Sequence, residues 1–199
     1  ESMDQMVGRS ERRSNETSVK VEIKLGGQGL ARVDTGIGFF DHMLTILAGH
    51  SGFDLTVECS GDLYVDGHHT VEDVGIVLSR ALAQALGDKR GICRYGTAFV
   101  PMDESLAMVS LDISGRPFLH YETPPLAPMV GNFDTQLVEE FFRAFSNQCG
   151  ITLHIRVIYG KNSHHMLEAV FKAFARALKQ AVALESDRNK VPSTKGIMD

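Results

Sequence analysis

HHTVEDV, residues 68–74, returns as HHMLEAV at residues 164–170, and the reading of the whole chain turns on this pair. On a helix, Glu72 lies four residues after His68 and three after His69, so the three side chains are expected to converge on one region of space. Glu168 stands in the same relation to His164 and His165. Imidazole nitrogens with carboxylate oxygens, and no cysteine beside them, suit a divalent transition ion and offer little to a soft-metal or iron–sulfur site. A single HH pair is most often a polar helix start. Two copies with matched carboxylates point instead to ligands.

The repetition extends beyond the motif. A shift of 98 positions lays SGFDLTVE (51–58) on CGITLHIR (149–156) and His42 on Glu140. A shift of 96 aligns the two HH motifs, then Arg80-Ala81-Leu82 with Arg176-Ala177-Leu178 and Gln84-Ala85 with Gln180-Ala181. One two-residue gap reconciles the shifts, so the chain reads as two half-domains of roughly ninety residues. Residues 1–91 form the N-terminal half, and residues 92–199 form the C-terminal half with a mobile tail. Two repeats are too few for a solenoid, and a pair packed about a pseudo-twofold axis is the expected product.

Each half carries one order of elements. Thr17 to Leu25 alternates as a strand, Gly26-Gly27 turns the chain, and Leu30 to Asp34 returns as a second strand. Asp41 to Ala48 reads as a helix, Phe53 to Cys59 as a strand, and Thr70 to Leu86 as a long helix closed by Gly87. In the second half, strands are expected near Gly96 to Pro101, Leu106 to Asp112 and Phe118 to Tyr121. A helix from Thr135 to Asn147, a strand from Ile151 to Ile158 and a helix from His165 to Leu184 follow. This is an α+β pattern, each half a small β-sheet with two helices. The opening dozen residues, ESMDQMVGRSER, have no periodicity and are expected to be partly disordered or non-native.

Composition bounds the function. With 199 residues and 43% hydrophobic content, the chain can bury a substantial core. A net charge of -5 without a basic, aromatic-interleaved run argues against a nucleic-acid partner. The apolar stretches fall short of a membrane span, and no signal peptide opens the chain. Cys59, Cys93 and Cys149 form no CxxC pair and are odd in number, which fits buried thiols in a reducing, cytoplasmic compartment.

His42, in FFDHML, would alone be a satisfied core histidine, but the repeat register makes it the counterpart of Glu140, and both precede an HH pair by about 25 positions. That favours ligands. His50, His120 and His154 lack such a partner and are read as structural. Arg94 and Arg116 sit beside glycines at element edges, where a guanidinium fork can hold an oxyanion or form a surface ion pair. The tail PSTKG (192–196) can close over a phosphate or fray as an ordinary terminus.

Seven segments together carry a resemblance: FFDHML (39–44), GDLYVDGHHTVEDVGI (61–76), DISGRPF (112–118), FDTQLVEEFFRAF (133–145), ITLHI (151–155), GKNSHHMLEAVFKAFARALKQA (160–181) and PSTKG (192–196). They closely resemble the imidazoleglycerol-phosphate dehydratase family of histidine biosynthesis, from about Arg13 to the C-terminus. The resemblance implies dehydration of imidazole glycerol phosphate to imidazole acetol phosphate with two manganese ions per active site. It implies His42, His68, His69, Glu72, Glu140, His164, His165 and Glu168 as ligands. Many relatives carry histidine where this chain has Glu140; a carboxylate also binds manganese, as a harder and more anionic ligand. Phosphate contacts correspond to Arg94, Arg116, Lys172, Ser193 and Lys195, and Glu16 to an acidic residue that reaches the substrate. Glu168, Glu72 and Glu16 are open alternatives for proton transfer. A hollow assembly of twenty-four subunits with shared sites is also implied.

Such a reaction breaks a carbon–hydrogen bond that no adjacent carbonyl acidifies, so the imidazole ring must supply the electrons that expel the hydroxyl. Metals acting as Lewis acids and template, with a phosphate clamp for orientation, meet that need. Two other classes share parts of the ligand set. A binuclear metallohydrolase acting on phosphate esters would release inorganic phosphate, whereas a dehydratase keeps it on carbon. A metal-storage bundle has no use for Arg94, Arg116 and Lys195, and the strand-rich halves disfavour it.

Overall fold

The computed structural model describes residues 2–198, so Glu1 and Asp199, which begin and end the two expected halves, lie outside it. Strict alternation builds the centre of each sheet. In β2 (Thr17–Lys24), Val19, Val21 and Ile23 point inward, and in β6 (Ser105–Asp112) Ala107, Val109 and Leu111 do the same. Around β2 stand β1 (Val7–Arg13), β3 (Ala31–Asp34) and β4 (Asp54–Gly61), in the order β1-β2-β4-β3. Around β6 stand β5 (Tyr95–Met102), β7 (Phe118–Glu122) and β10 (Thr152–Tyr159), in the order β5-β6-β10-β7. The two sheets share one topology: antiparallel neighbours throughout, except a last parallel pair, β3 with β4 and β7 with β10.

Helices α1 (Gly38–Ser51) and α3 (Leu137–Cys149) connect the strands of those parallel pairs, and each ends on a left-handed glycine, Gly52 and Gly150. Helices α2 (His68–Leu86) and α4 (Ser163–Val182) follow the last strand of each sheet and pack across its first two strands. The halves then interlock, because α2 packs on α3 and α1 on α4. The four helices form an inner layer between two outer sheets. Phe141, Phe142 and Phe145 of α3 meet Phe171 and Phe174 of α4 at ring-centroid distances of 5.0–5.7 Å, in one continuous core.

The duplication is visible at atomic detail. A Cβ on Gly8 of β1 would lie 1.8 Å from the Ala81 carbonyl oxygen of α2, and one on Gly96 of β5 would lie 1.8 Å from the Ala177 carbonyl oxygen of α4. Beside each contact a helix glutamine accepts from the strand backbone, Gln84 from the Arg9 N–H and Gln180 from the Thr97 N–H. Glycine is therefore required there by close approach of strand to helix.

The opening dozen residues differ from expectation. Met3–Gln5 forms a 3-10 turn, and Val7–Arg13 is the ordered edge strand β1, paired with β2 along its whole length. Only Gly8 is buried in it, so no apolar alternation marks it in the sequence. A two-residue hairpin, β8 (Met129–Val130) with β9 (Phe133–Asp134), was also unmarked. The segment after α4 is tied down as far as Pro192: Leu184 bridges Ile92, the Glu185 N–H donates to Gly91 O, and the Gly91 N–H donates to Lys190 O. The cysteines are free, but only Cys149 is fully buried, with Cys59 and Cys93 partly exposed. Among the described residues no helix is long and apolar enough to cross a membrane.

Candidate functional site

Where α1 crosses α4, His42 meets the second HH motif. Its Nε2 lies 2.9 Å from Glu168 Oε1, and His164 Nε2 lies 3.7 Å from the same oxygen. One ligand atom from each of His42, His164 and Glu168 falls within 4.8 Å of the others, the only such histidine and carboxylate cluster among the described residues. Glu168 is only 6% exposed. Its other oxygen accepts from Lys172 Nζ at 3.2 Å, one turn along α4. Burial alone would raise the Glu168 pKa; the Lys172 and His42 hydrogen bonds and charges outweigh it, and the net shift is downward.

The first HH motif is arranged differently from the expected convergence. His68 Nε2 faces Glu72 Oε2 at 3.3 Å, one turn along α2. His69 does not join them. Its Nδ1 donates to Asp62 Oδ2 at 2.8 Å, and its Nε2 faces Glu16 Oε2 at 3.5 Å. His165 likewise leaves Glu168, donating from Nδ1 to Glu104 Oε1 at 2.6 Å with Nε2 facing Asp103 Oδ2 at 3.7 Å. Consecutive helix residues point about 100° apart, and the second histidine of each pair is drawn aside by a carboxylate on another element, Asp62 for His69 and Glu104 for His165. The hydrogen bond to Asp62 chiefly raises the His69 pKa, and that to Glu104 raises that of His165. All five histidines expected as ligands thus turn Nε2 toward a carboxylate oxygen, as His120 does toward Glu122 at 3.3 Å. Glu140, in the first turn of α3, is half-buried and joins no such cluster.

The expected anion contacts divide into two groups. Arg94, Arg116, Ser193 and Lys195 line one cavity of about 760 Å³ under the tail. Lys172 stands apart, beside Glu168. The Arg94 fork is already engaged: Nε and Nη2 donate to Asp112 at 2.7 and 3.2 Å, and Nη1 donates to Pro192 O at 2.9 Å. The Asp112 contact also raises the Arg94 pKa. Arg116 approaches the same carboxylate at 4.0 Å.

Sequence reasoning missed Asp62, Asp103, Glu104 and Asp112. Only the fold relates two of them to an expected residue: the β5–β6 turn holding Asp103 and Glu104 is the topological counterpart of the β1–β2 turn holding Glu16, and the sequence does not mark β1. Asp103 adopts φ +48, a left-handed conformation uncommon for a side-chain-bearing residue and frequent at functional turns.

Comparison with known proteins bears on this arrangement. The family model described as imidazoleglycerol-phosphate dehydratase matches residues 35–178. The imidazoleglycerol-phosphate dehydratase of Desulforamulus reducens is 56% identical over 188 residues, covering 94% of this chain and 96% of that protein. That of Clostridium botulinum is 55% identical over 196 residues, 98% of this chain and 100% of the relative. Among solved structures, the Staphylococcus aureus imidazoleglycerol-phosphate dehydratase superposes with a TM-score of 0.82 at 43% identity, over 90% of this chain and 99% of that one. The Pyrococcus furiosus enzyme in complex with (S)-C348 gives a TM-score of 0.82 at 34% identity, over 94% and 99%.

Proposed function

The chain belongs to the imidazoleglycerol-phosphate dehydratase family, and from that premise we propose that it removes water from imidazole glycerol phosphate to give imidazole acetol phosphate, as a metal-dependent step of histidine biosynthesis. It is an enzyme of the hydro-lyase class. The metal dependence rests on one observation: His42, His164 and Glu168 bring ligand atoms within 4.8 Å of one another in a single chain, at the second HH motif.

The donor set fits manganese. Imidazole nitrogens and carboxylate oxygens are present without a thiolate, and a nitrogen-only pocket that would more strongly select zinc or copper is absent from the triad. His42, His164 and Glu168 would hold metal, with His68, His69, Glu72, Glu140 and His165 supplying the remaining positions for two ions per site. When bound, the metals supply Lewis acidity to the substrate ring. Glu168 has both oxygens engaged, by His42 and by Lys172, so it suits a fixed, ionised ligand rather than a proton carrier. Glu72 and Glu16 are about half exposed, with side-chain accessibilities of 43% and 54%, and among the described residues the ion-pair partner of each is a histidine. Proton transfer is therefore assigned to Glu16 and Glu72.

Arg94, Arg116, Ser193 and Lys195 would receive the substrate phosphate, with Lys172 adding charge beside the triad. Asp112 holds the Arg94 fork in one orientation, and phosphate would compete with Pro192 O for Nη1, coupling substrate binding to the tail. Within one chain, four of these contacts gather around a cavity that includes no triad residue. That separation supports self-association into a large homo-oligomer, twenty-four subunits on the family resemblance, with each site completed by a neighbouring copy. Three free cysteines agree with a cytoplasmic enzyme.

Glu16→Gln tests the assignment. It should lower kcat by about 10²–10⁴ while manganese content and KM stay near wild type, because Glu16 moves a proton and does not hold the metal. Glu72→Gln should also lose manganese. Wild-type turnover in Glu16→Gln would remove it from the proton path.

A further inference from the structure

Resting on the metal reading above, we propose that Asp62 and Glu104 are positioning residues that set His69 and His165 as Nε2 ligands, one in each half of the molecule. A carboxylate oxygen can only accept, so the ring nitrogens 2.8 Å from Asp62 and 2.6 Å from Glu104 must donate, and they are Nδ1 in both cases. A neutral imidazole with Nδ1 protonated keeps its lone pair on Nε2. That nitrogen faces Glu16 Oε2 at 3.5 Å in His69 and Asp103 Oδ2 at 3.7 Å in His165. In the neutral ring both facing atoms carry lone pairs, an arrangement that suits a cation between them.

The second histidine of each HH pair is singled out in this way. His42, His68 and His164 have only Nε2 contacts to carboxylates, with no Nδ1 hydrogen bond among the described residues. The two anchoring carboxylates come from unrelated places. Asp62 follows β4, seven residues before His69, whereas Glu104 sits in the β5–β6 turn, 61 residues before His165. The duplication did not copy this contact from one half to the other, so the same nitrogen is held by the same chemistry on two separate local frameworks.

Both carboxylates are themselves fixed. The Asp62 side chain is 10% exposed, and its backbone N–H donates to Glu16 O at 3.1 Å, which ties its loop to the turn carrying Glu16. Its Oδ1 is buried without a hydrogen-bond partner, an arrangement packing alone does not favour. Glu104 accepts from Ser105 Oγ on its second oxygen. Outer carboxylates of this kind fix ring orientation and tautomer and raise ligand basicity, and their loss typically weakens metal binding about 10- to 100-fold.

The test titrates the metal-free full-length protein with manganese, following free Mn²⁺ by electron paramagnetic resonance, with melting of the metal-free form measured in parallel. Asp62→Ala and Glu104→Ala should weaken binding about 10- to 100-fold, and Asp62→Asn and Glu104→Gln less, since an amide oxygen still accepts the Nδ1 proton. Glu104 is partly exposed, so its variants should melt like wild type; if Asp62→Ala fails to fold, Asp62→Asn and both Glu104 variants carry the test. Wild-type manganese affinity in Glu104→Ala and Asp62→Asn overturns the assignment, as does an affinity loss that merely follows lowered melting. A wild-type chain that takes up no manganese instead overturns the metal reading from which this one proceeds.

Discussion

Glu168 joins the two halves at one side chain, since His42 reaches it from α1 and Lys172 holds it from within α4. Replacing it by Gln keeps its shape but removes the charge that Lys172 needs, so the metal-free protein should lose about 1–3 kcal/mol, read from its denaturation midpoint. The pH dependence has a definite sign. A carboxyl whose folded pKa lies below its unfolded value stabilises above the ordinary carboxylate range, and that stability disappears as pH falls through the lowered folded value. The gap between wild type and Glu168→Gln should therefore be wide at neutral pH and close in acid. An equal gap at both would contradict the ion-paired geometry. At this scale the candidate triad was legible, because the second HH motif and His42 single themselves out by the repeat, whereas Glu140, marked by the same register, joins no cluster among the described residues. Asp62, Asp103 and Glu104 were not legible, because a carboxylate in a turn carries no local mark of the histidine it will meet across the fold.

Strands and helices followed their periodicity closely. Helix α1 runs Gly38–Ser51 where the apolar pattern predicted only residues 41–48, since its ends are set by Thr35 bonding Asp41 and by the left-handed Gly52. Strand β1 escaped because it is an edge strand held by backbone pairing and by Gly8, and neither leaves an apolar alternation. The paired glycine contacts make the duplication testable. Gly8→Ala and Gly96→Ala must each push a helix away from its sheet, at a cost of about 1–3 kcal/mol or more in chemical denaturation. Gly49→Ala, inside α1 with nothing within 4 Å of the added Cβ, should stabilise by about 0.5–1 kcal/mol. Neutral substitutions at both residue 8 and residue 96 would mean that the two helices do not cross their strands at these glycines.

The molecule as a whole places its chemistry on an interlocked pair of halves, and the internal repeat made that architecture legible before any contact was known. The proposed sharing of a site between subunits came from the family resemblance alone, because no chain's periodicity records its neighbour. If ligands from different copies meet at each ion, light scattering should show the large assembly with manganese and smaller species after chelation, and a fully active monomer would exclude shared sites. Product identity tests the central claim most directly. The purified chain, stripped of metal and then reloaded with manganese, is given imidazole glycerol phosphate, and the mixture is followed by mass spectrometry together with an assay for free phosphate. Loss of one water with the phosphate still on carbon, dependent on the added manganese, is the predicted result; release of inorganic phosphate, or no conversion by the reloaded enzyme, would contradict it.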